Sequence, residues 1–253
     1  MFSILKSKSK GYQPKKAKVF EYEDVQKFLN EAPDEKYLLM KIVVVMGIMG
    51  ACRCDELVNL KMTDIVDKQS IVVVNILKTK NYKPRSFVIT DVEGGGFNGL
   101  EIYRKYAALR SSIMLGEGRF FLSYYYGKCT VQPVGINTIS KIPRLVAEYL
   151  GMNDAHLYTG HSFRRTSATL LSGDILTLKR HGGWRSTSVA EGYVEESESN
   201  KIKIARKLIA GEEGTTKNIQ AQTNKTDIVK DTHTAIASNN IFNNCTVNFN
   251  ISY

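Results

Sequence analysis

The sequence predicts a mainly α domain with a small antiparallel β-sheet, that is, an α+β fold. Three observations lead to this prediction. Apolar residues recur at intervals of three and four along much of the chain, two short β-branched runs flank a polar segment, and 43% apolar content over 253 residues is enough to bury a core. The same composition excludes a fibrous fold and wholesale disorder.

The helices are predicted from apolar periodicity and from chain breaks. Val25, Phe28 and Leu29 fall at i, i+3 and i+4 before a break at Pro33, and the densely apolar stretch 35–49 indicates a buried helix. The predicted helices span residues 22–30, 35–49, 55–60, 100–115, 136–151, 162–171, 175–181, 186–193 and 199–209. In the helix over 136–151, we expect one apolar face made of Ile139, Ile142, Leu145, Val146 and Leu150.

The predicted sheet rests on two runs rich in β-branched residues. Residues 70–77 (SIVVVNIL) and 86–90 (SFVIT) are typical strands, and the polar segment between them carries several lysines. The pattern therefore predicts a strand, a basic loop and a returning strand. A further short extended piece is expected at 119–123.

Composition divides the chain into an arm, a body and a tail. Residues 1–18 hold six lysines and no acidic residue, which favours a flexible basic arm before a body over 19–210. The tail, 211–253, contains seven Thr and eight Asn, and we expect most of it to be flexible. Its last residues alternate in polarity, so a terminal strand at 246–253 is possible only with a pairing partner.

Charge and cysteine content narrow the classes of function. A formal charge of +10 attracts polyanions and makes nucleic acid the first partner to test. The four cysteines, of which Cys52 and Cys54 are two residues apart, suggest neither a disulfide framework nor a zinc knuckle. The longest apolar run is far shorter than the ~20 residues of a membrane span. The N-terminus lacks the apolar stretch of a secretory signal, so we expect an intracellular protein.

The segment 161–193 (HSFRRTSATLLSGDILTLKRHGGWRSTSVAEGY) is the most informative part of the sequence. On a helix, His161 and Arg164 would point to the same side, one turn apart, where both could reach one anion. A planar guanidinium suits two phosphate oxygens, and a histidine can donate a hydrogen bond or shuttle a proton near neutral pH. Alone, this pair is weak evidence for a site, because His-x-x-Arg is common by chance.

Further residues accompany the pair in a recognisable order. Arg53 in GACRCDEL and Lys80 in the loop between the strands precede it, and Trp184 in Gly-Gly-Trp and Tyr193 follow it. In order and spacing these residues resemble the tyrosine recombinase (phage integrase) family. The segment TLKRHGGWRSTSVAEGYVEES is most similar to eukaryotic mobile-element recombinases of the Crypton type. The resemblance covers about residues 20–210 and implies the tyrosine recombinase catalytic-domain fold.

The resemblance implies a DNA breaking and rejoining enzyme. Arg53 and Arg164 would hold the nonbridging oxygens of the scissile phosphate, with Glu56 bracing them, because preorganised cations stabilise the charge that phosphoryl transfer builds up. Tyr193 would be the nucleophile and form a 3′-phosphotyrosyl bond, which stores the energy for rejoining. This reaction needs neither a metal ion nor ATP, so no cofactor is expected.

Three more residues receive roles from the resemblance. Lys80 would protonate the leaving 5′-oxygen, with Lys78 and Lys83 as alternatives. His161 would contact the phosphate or take the tyrosine proton. The Trp184 indole would donate to a phosphate oxygen, with simple packing as the alternative. His181 is left out, because its offset from Tyr193 is three residues too long.

The resemblance also sets expectations about partners and about alternatives. Double-stranded DNA is the expected substrate, with a homo-oligomer on DNA formed through helix 199–209 and the C-terminal strand, and with nuclear localisation. Two departures are a missing N-terminal helical domain and a shortened stretch between Arg164 and Trp184, which could shift the site. The alternatives are a DNA-binding protein that no longer recombines and a type IB topoisomerase that relaxes one strand.

Overall fold

A computed structural model describes residues 16–77, 84–91, 94–110, 118–172, 174–184, 186–194, 201–202 and 205–206. The chain divides into two compact units, Met1–Ala210 and Gly211–Tyr253, and every described residue belongs to the first unit. The predictions for most of the basic arm, for the Asn/Thr-rich tail and for the terminal strand therefore lie outside the described residues.

The first unit is mostly helical, as the sequence predicts. Its helices are α1 (Tyr22–Glu31), α2 (Asp34–Met49), α3 (Cys54–Asn59), α4 (Gly99–Ala108), α5 (Ile136–Tyr149), α6 (Ser162–Leu170), α7 (Ile175–Gly182) and α8 (Thr187–Glu191). Residues 201–202 and 205–206 are also helical. Among the described residues, no helix combines the length and the apolar character needed to cross a membrane.

Helix α2 forms the centre of the hydrophobic core. Its residues from Ile42 to Met46 are all buried, so the helix is apolar on every side and is surrounded by α4, α5, α6 and strands of both sheets. Phe28 of α1 and Phe163 of α6 are buried in the same cluster. Each fully buried side chain of this size contributes roughly 1.5–3 kcal/mol of transfer free energy. The burial of α2 therefore anchors α6, which carries Arg164.

A three-stranded antiparallel sheet packs on this core. Strands β1 (Ile65–Asp67), β2 (Ile71–Ile76) and β3 (Arg85–Thr90) lie in the order β1-β2-β3, with Val73 opposite Val88. Alternate residues of β2 face the core, as expected of a half-buried strand. Strands β4 (Leu122–Tyr125) and β5 (Lys128–Pro133) form a separate hairpin.

The structure corrects three details of the sequence prediction. The helix predicted over 100–115 ends at Ala108, and residues 111–115 lie outside the described part. The helix predicted to reach Tyr193 ends at Glu191, because the chain turns at Gly192. Leu145 is 38% exposed rather than buried, since it lies about 100° around α5 from the neighbouring buried residue Val146.

Candidate functional site

The Arg164 guanidinium is the centre of the candidate site. Arg164 lies in the first turn of α6 and is fully buried. Its Nη2 donates a hydrogen bond of 2.7 Å to the Gly182 carbonyl at the end of α7, and its Nη1 donates to the Ala51 carbonyl. The guanidinium therefore joins the C-terminus of α7 to the turn that precedes α3, and helix C-termini favour such cations.

A second buried arginine joins the same two segments. Arg85, the first residue of β3, donates from Nη1 to the Gly50 carbonyl and, at 3.4 Å, to the His181 carbonyl. The turn at 50–51 requires Ala51 to adopt a φ of +44°, a conformation that costs a residue with a Cβ roughly 1–2 kcal/mol. Arg85 and Arg164 both donate hydrogen bonds to carbonyls of this turn and so help to hold it in that conformation.

Glu56 links Arg85 to Arg53. The Glu56 carboxylate accepts hydrogen bonds from Arg53 Nη1 at 2.8 Å, from the Arg53 backbone N–H at 2.9 Å and from Arg85 Nη2 at 2.7 Å. Burial acts to raise the pKa of Glu56, but Arg85 and the hydrogen bond from Arg53 outweigh it, so the pKa lies below its ordinary value. Glu56 is therefore ionised at neutral pH and fixes the orientation of both arginines.

The cluster carries more positive than negative charge. Three guanidinium groups, those of Arg53, Arg85 and Arg164, face the single carboxylate of Glu56, which leaves a formal excess of +2. Burial, and after it repulsion from the nearby Arg53, lower the pKa of Arg164 to about 10. Arg164 is therefore still charged at neutral pH, although the neighbouring cations repel it. An anion bound between these groups would relieve that repulsion.

The Gly-Gly-Trp segment places an indole ring on Arg164. Gly183 has a φ of +66° and ends α7 in the left-handed conformation that glycine adopts at little cost. A Cβ at Gly182 would lie 1.8 Å from the Trp184 ring, so only glycine fits there. The Trp184 ring lies 4.3 Å from the Arg164 guanidinium carbon, a cation–π contact.

Two buried donors at this contact have no hydrogen-bond partner within the described part of the chain. They are Nε1 of Trp184 and Nε of Arg164. A buried donor without a partner costs roughly 1–3 kcal/mol, and a phosphate oxygen is an acceptor that would satisfy it. The donor set therefore suits an oxyanion.

Tyr193 adjoins the same guanidinium. It lies in the turn after α8, with its ring 5.3 Å from the Arg164 guanidinium carbon and 5.2 Å from the Trp184 ring. Tyr193 also lines a cavity of about 480 Å³ together with His161, which is exposed at the start of α6. His161 thus adjoins the cavity beside Tyr193, whereas Arg164 points into the protein.

Arg165 holds the turn that carries Tyr193. Its Nη1 donates to the Gly192 carbonyl at 3.1 Å, and its Nε donates to the Ala17 carbonyl at 2.8 Å. Lys18, in the same N-terminal segment, pairs with Asp154 at 2.7 Å. Residues 16–18, which the composition assigns to the flexible arm, therefore pack against the body.

The structure brings together five of the residues singled out in the sequence: Arg53, Glu56, Arg164, Trp184 and Tyr193. Lys80 and its alternatives, Lys78 and Lys83, lie outside the described residues. Sequence reasoning missed Arg85 and Arg165, although each stands beside a residue or loop that it did identify. Their only signal was a charged residue at a position that faces the core.

His181 is close to the cluster although it was left out of the predicted site. Burial, together with Arg85 and Arg164, lowers its pKa, while a hydrogen bond with the Met49 backbone opposes this shift. The imidazole is therefore predominantly neutral at pH 7. Within the described ranges, no three His, Cys, Asp or Glu side chains are grouped so that they could hold a metal ion.

Several solved recombinase structures are similar to this chain. No protein-family model and no curated protein matches the sequence. The XerA recombinase matches with a TM-score of 0.60 and 22% identity, over 78% of this chain and 66% of that one. The XerH site-specific recombinase in its post-cleavage complex matches with a TM-score of 0.52 and 16% identity, over 78% and 55%. The Tn1549 transposon integrase with a circular intermediate DNA matches with a TM-score of 0.52 and 13% identity, over 81% and 74%.

The chain has the tyrosine recombinase catalytic-domain fold. The fold that the sequence resemblance implied is thereby confirmed. The chain spans about two thirds of the XerA chain and little more than half of the XerH chain. At these identities, the likeness concerns the fold alone.

Proposed function

We propose that this protein cleaves and rejoins DNA strands as a tyrosine recombinase, with Tyr193 as the nucleophile. The observation that carries the proposal is the contact of the Tyr193 and Trp184 rings with the buried Arg164 guanidinium, in a cluster with excess positive charge. A tyrosine beside a preorganised cationic site is the arrangement that phosphoryl transfer to a protein hydroxyl needs.

In the proposed cleavage, the Tyr193 hydroxyl oxygen attacks the scissile phosphorus. The new bond joins phosphorus to the tyrosine oxygen, the bond to the 5′-oxygen breaks, and the DNA strand ends in a 3′-phosphotyrosyl group and a free 5′-hydroxyl. Arg53 and Arg164 would stabilise the charge on the nonbridging oxygens, each such interaction contributing several kcal/mol in a water-poor site. Attack by a 5′-hydroxyl on the same phosphorus reverses the step and rejoins DNA.

Two protons move in this step. His161 lies on the cavity next to Tyr193 and would accept the tyrosine proton. Lys80 would donate a proton to the leaving 5′-oxygen. The bond energy is kept in the phosphotyrosyl link, so the reaction is proposed to proceed without metal and without ATP.

We further propose double-stranded DNA as the substrate and assembly of several protomers on it. The XerH and Tn1549 structures contain DNA, and the charge of +10 on this chain suits the same partner. Ile202, in the helix expected to dock on a neighbour, is 43% exposed. An origin in a Crypton-type mobile element and a nuclear location belong to the same proposal.

A trapping experiment with nicked DNA tests the proposal. The substrate is a pool of labelled duplexes with a randomised central segment and a nick at varied positions. Where the nick lies a few nucleotides 3′ of the cleaved phosphate, the short 5′-hydroxyl fragment diffuses away and rejoining is blocked. The reaction contains a metal chelator. We expect a detergent-resistant protein–DNA adduct whose linked peptide contains Tyr193.

Two variants make the test specific. Tyr193→Phe should abolish the adduct, whereas Tyr125→Phe, which changes a 71%-exposed tyrosine on the β4–β5 hairpin, should leave it unchanged. DNA binding without any adduct would contradict the proposal and favour a DNA-binding protein that no longer recombines. A Tyr193 adduct with relaxation of supercoiled DNA, but no strand exchange, would instead assign topoisomerase activity.

A further inference from the structure

Lys61 and Arg119 form a pair of adjacent cations outside the cluster around Arg164. An antiparallel bridge sets them opposite each other, and the hydrogen bonds from Met62 N to the Gly118 carbonyl at 3.1 Å and from Phe120 N to the Leu60 carbonyl at 2.7 Å flank the bridge. This pattern defines a non-hydrogen-bonded pair, in which the Cα atoms lie roughly 4.5 Å apart and the side chains share one face. Two like charges in such a pair repel each other.

The pair lines a cavity of about 390 Å³, together with Asn59 and Asn75. Both cations are exposed, and no ion pair to either occurs in the part of the chain that the structure describes. The cavity is also lined by Asp64, whose carboxylate accepts a hydrogen bond from the Lys61 backbone N–H at 2.9 Å. The cavity therefore offers two side-chain cations to an external anion.

Glu56 connects this cavity to the candidate site. Glu56 is one of the residues that line the cavity, and its buried carboxylate holds Arg53 and Arg85, which neutralise it. An anion bound by Lys61 and Arg119 would therefore lie one side chain away from the anion bound by Arg53. DNA presents phosphates at regular, short intervals along each strand, whereas a free anion would have no reason to sit beside a second one.

We propose that Lys61 and Arg119 bind a DNA backbone phosphate that neighbours the phosphate held by Arg53 and Arg164. This inference rests on the proposed function for its ligand. The two side chains position the duplex without reading its sequence, because phosphate contacts set register and base contacts set specificity. Their loss therefore weakens binding to all sequences alike.

The test is the salt dependence of DNA binding. Fluorescence anisotropy with a random-sequence duplex is measured between 50 and 200 mM salt, on Tyr193→Phe protein so that no covalent product forms. Each phosphate contact contributes about 0.9 to the slope of log affinity against log salt. Lys61→Gln with Arg119→Gln should make this negative slope less steep by about 1.8. Between 50 and 200 mM salt, the affinity of the parent should therefore fall about 12-fold more than that of the double variant.

A charge-matched control uses two exposed lysines of α1 and α2. Lys27→Gln with Lys36→Gln removes the same charge and should leave the slope unchanged. Lys61→Arg, which keeps the charge, should also keep the slope. Equal thermal unfolding of parent and double variant ensures that the comparison is between folded proteins.

The outcomes separate this inference from the proposed function. A double variant with the slope of the parent overturns the inference, as does an equal loss of slope in the control. The double variant could also lose binding of inorganic phosphate while its slope for DNA stays that of the parent. This outcome overturns the inference in favour of a site for free anions. A reduced slope in the double variant, combined with failure of the protein that retains Tyr193 to form an adduct on nicked DNA, supports the inference and contradicts only the proposed function.

Discussion

Glu56→Gln is the substitution that tests the architecture of the candidate site most directly. The carboxylate is buried and accepts three hydrogen bonds, two of them at Oε2, from the Arg53 backbone and Arg85, and one at Oε1, from Arg53. Glutamine has nearly the same shape, but only one of its terminal atoms is an acceptor. If the glutamine oxygen takes the place of Oε2, which accepts two hydrogen bonds, its NH₂ group takes the place of Oε1. Two donors, this NH₂ group and Nη1 of Arg53, then face each other.

The expected loss of stability is large. Breaking a buried ion pair by removing one partner costs about 3–5 kcal/mol, because the remaining charge stays buried without compensation. Arg85 is the charge left in that state, since its side chain is only 8% exposed. For a unit of this size, each 1 kcal/mol shifts the melting temperature by about 2–4 °C, so a fall of roughly 6–20 °C is expected.

Activity should fall as well, because Arg53 loses the carboxylate that orients it. A displacement near 1 Å at a reacting centre costs ~100-fold in rate, and we expect at least that loss in the rate of adduct formation on nicked DNA. Urea unfolding and the trapping reaction measure the two effects on the same protein. The matched control is Glu148→Gln, which removes an exposed carboxylate 2.8 Å from Arg144 and should cost less than about 0.5 kcal/mol.

The pH dependence of the free energy of unfolding tests independently whether ionised Glu56 stabilises the folded protein. The pKa of Glu56 in the folded protein lies below its ordinary value of 4.5, so the unfolded chain binds the proton more readily. The stability that Glu56 contributes is therefore fully present above about pH 5 and is lost as the pH falls through the folded pKa. A Gln variant within 0.5 kcal/mol of the parent at pH 7, or a difference that grows on acidification, would refute the assigned role of Glu56.

Three further substitutions probe neighbouring parts of the site. Burial and nearby arginines lower the pKa of His181, so stability should rise with pH up to about 6.5, and urea unfolding of His181→Asn should show a flatter profile; an unchanged profile would exclude this histidine as the source. Gly182→Ala forces a Cβ into the Trp184 ring, and we expect a loss of about 1–3 kcal/mol and a red shift in the emission of this single tryptophan; unaltered emission would show that the ring is not confined there. Arg165→Lys loses the fixed planar spacing of the two donors that bond the Ala17 and Gly192 carbonyls, so adduct formation should slow at least about 10-fold while DNA affinity stays within about threefold; parallel losses of both would point to general disruption instead.

The helices were predictable because their cause is local. The apolar residues of α1 recur with helical spacing, and the uniformly apolar α2 is long enough to be a buried helix rather than a strand. Strands β1 and β5 were missed for an equally physical reason. β1 has three residues, and all but one of the β5 residues are exposed, so neither shows an alternating pattern.

The arginine network was not predictable, because it depends on tertiary distance. Glu56 and Arg85 are 29 residues apart, and they meet only because β3 starts where the sheet runs past the N-terminus of α3. The same holds for Arg165, which donates to carbonyls 148 and 27 residues away.

Two guanidinium bridges would let the site tolerate the shortened segment that the family resemblance implies between Arg164 and Trp184. Arg164 joins Ala51 to Gly182, and Arg85 joins Gly50 to His181, so both arginines tie the same turn to the same helix end. Arg53 and Trp184 each stand two residues after a bridged position, Ala51 and Gly182 respectively. A turn before α7 that is a few residues shorter can be absorbed there, because the end of α7 is held by these bonds and not by the length of the chain leading to it. The Trp184 ring accordingly remains 4.3 Å from the Arg164 guanidinium carbon.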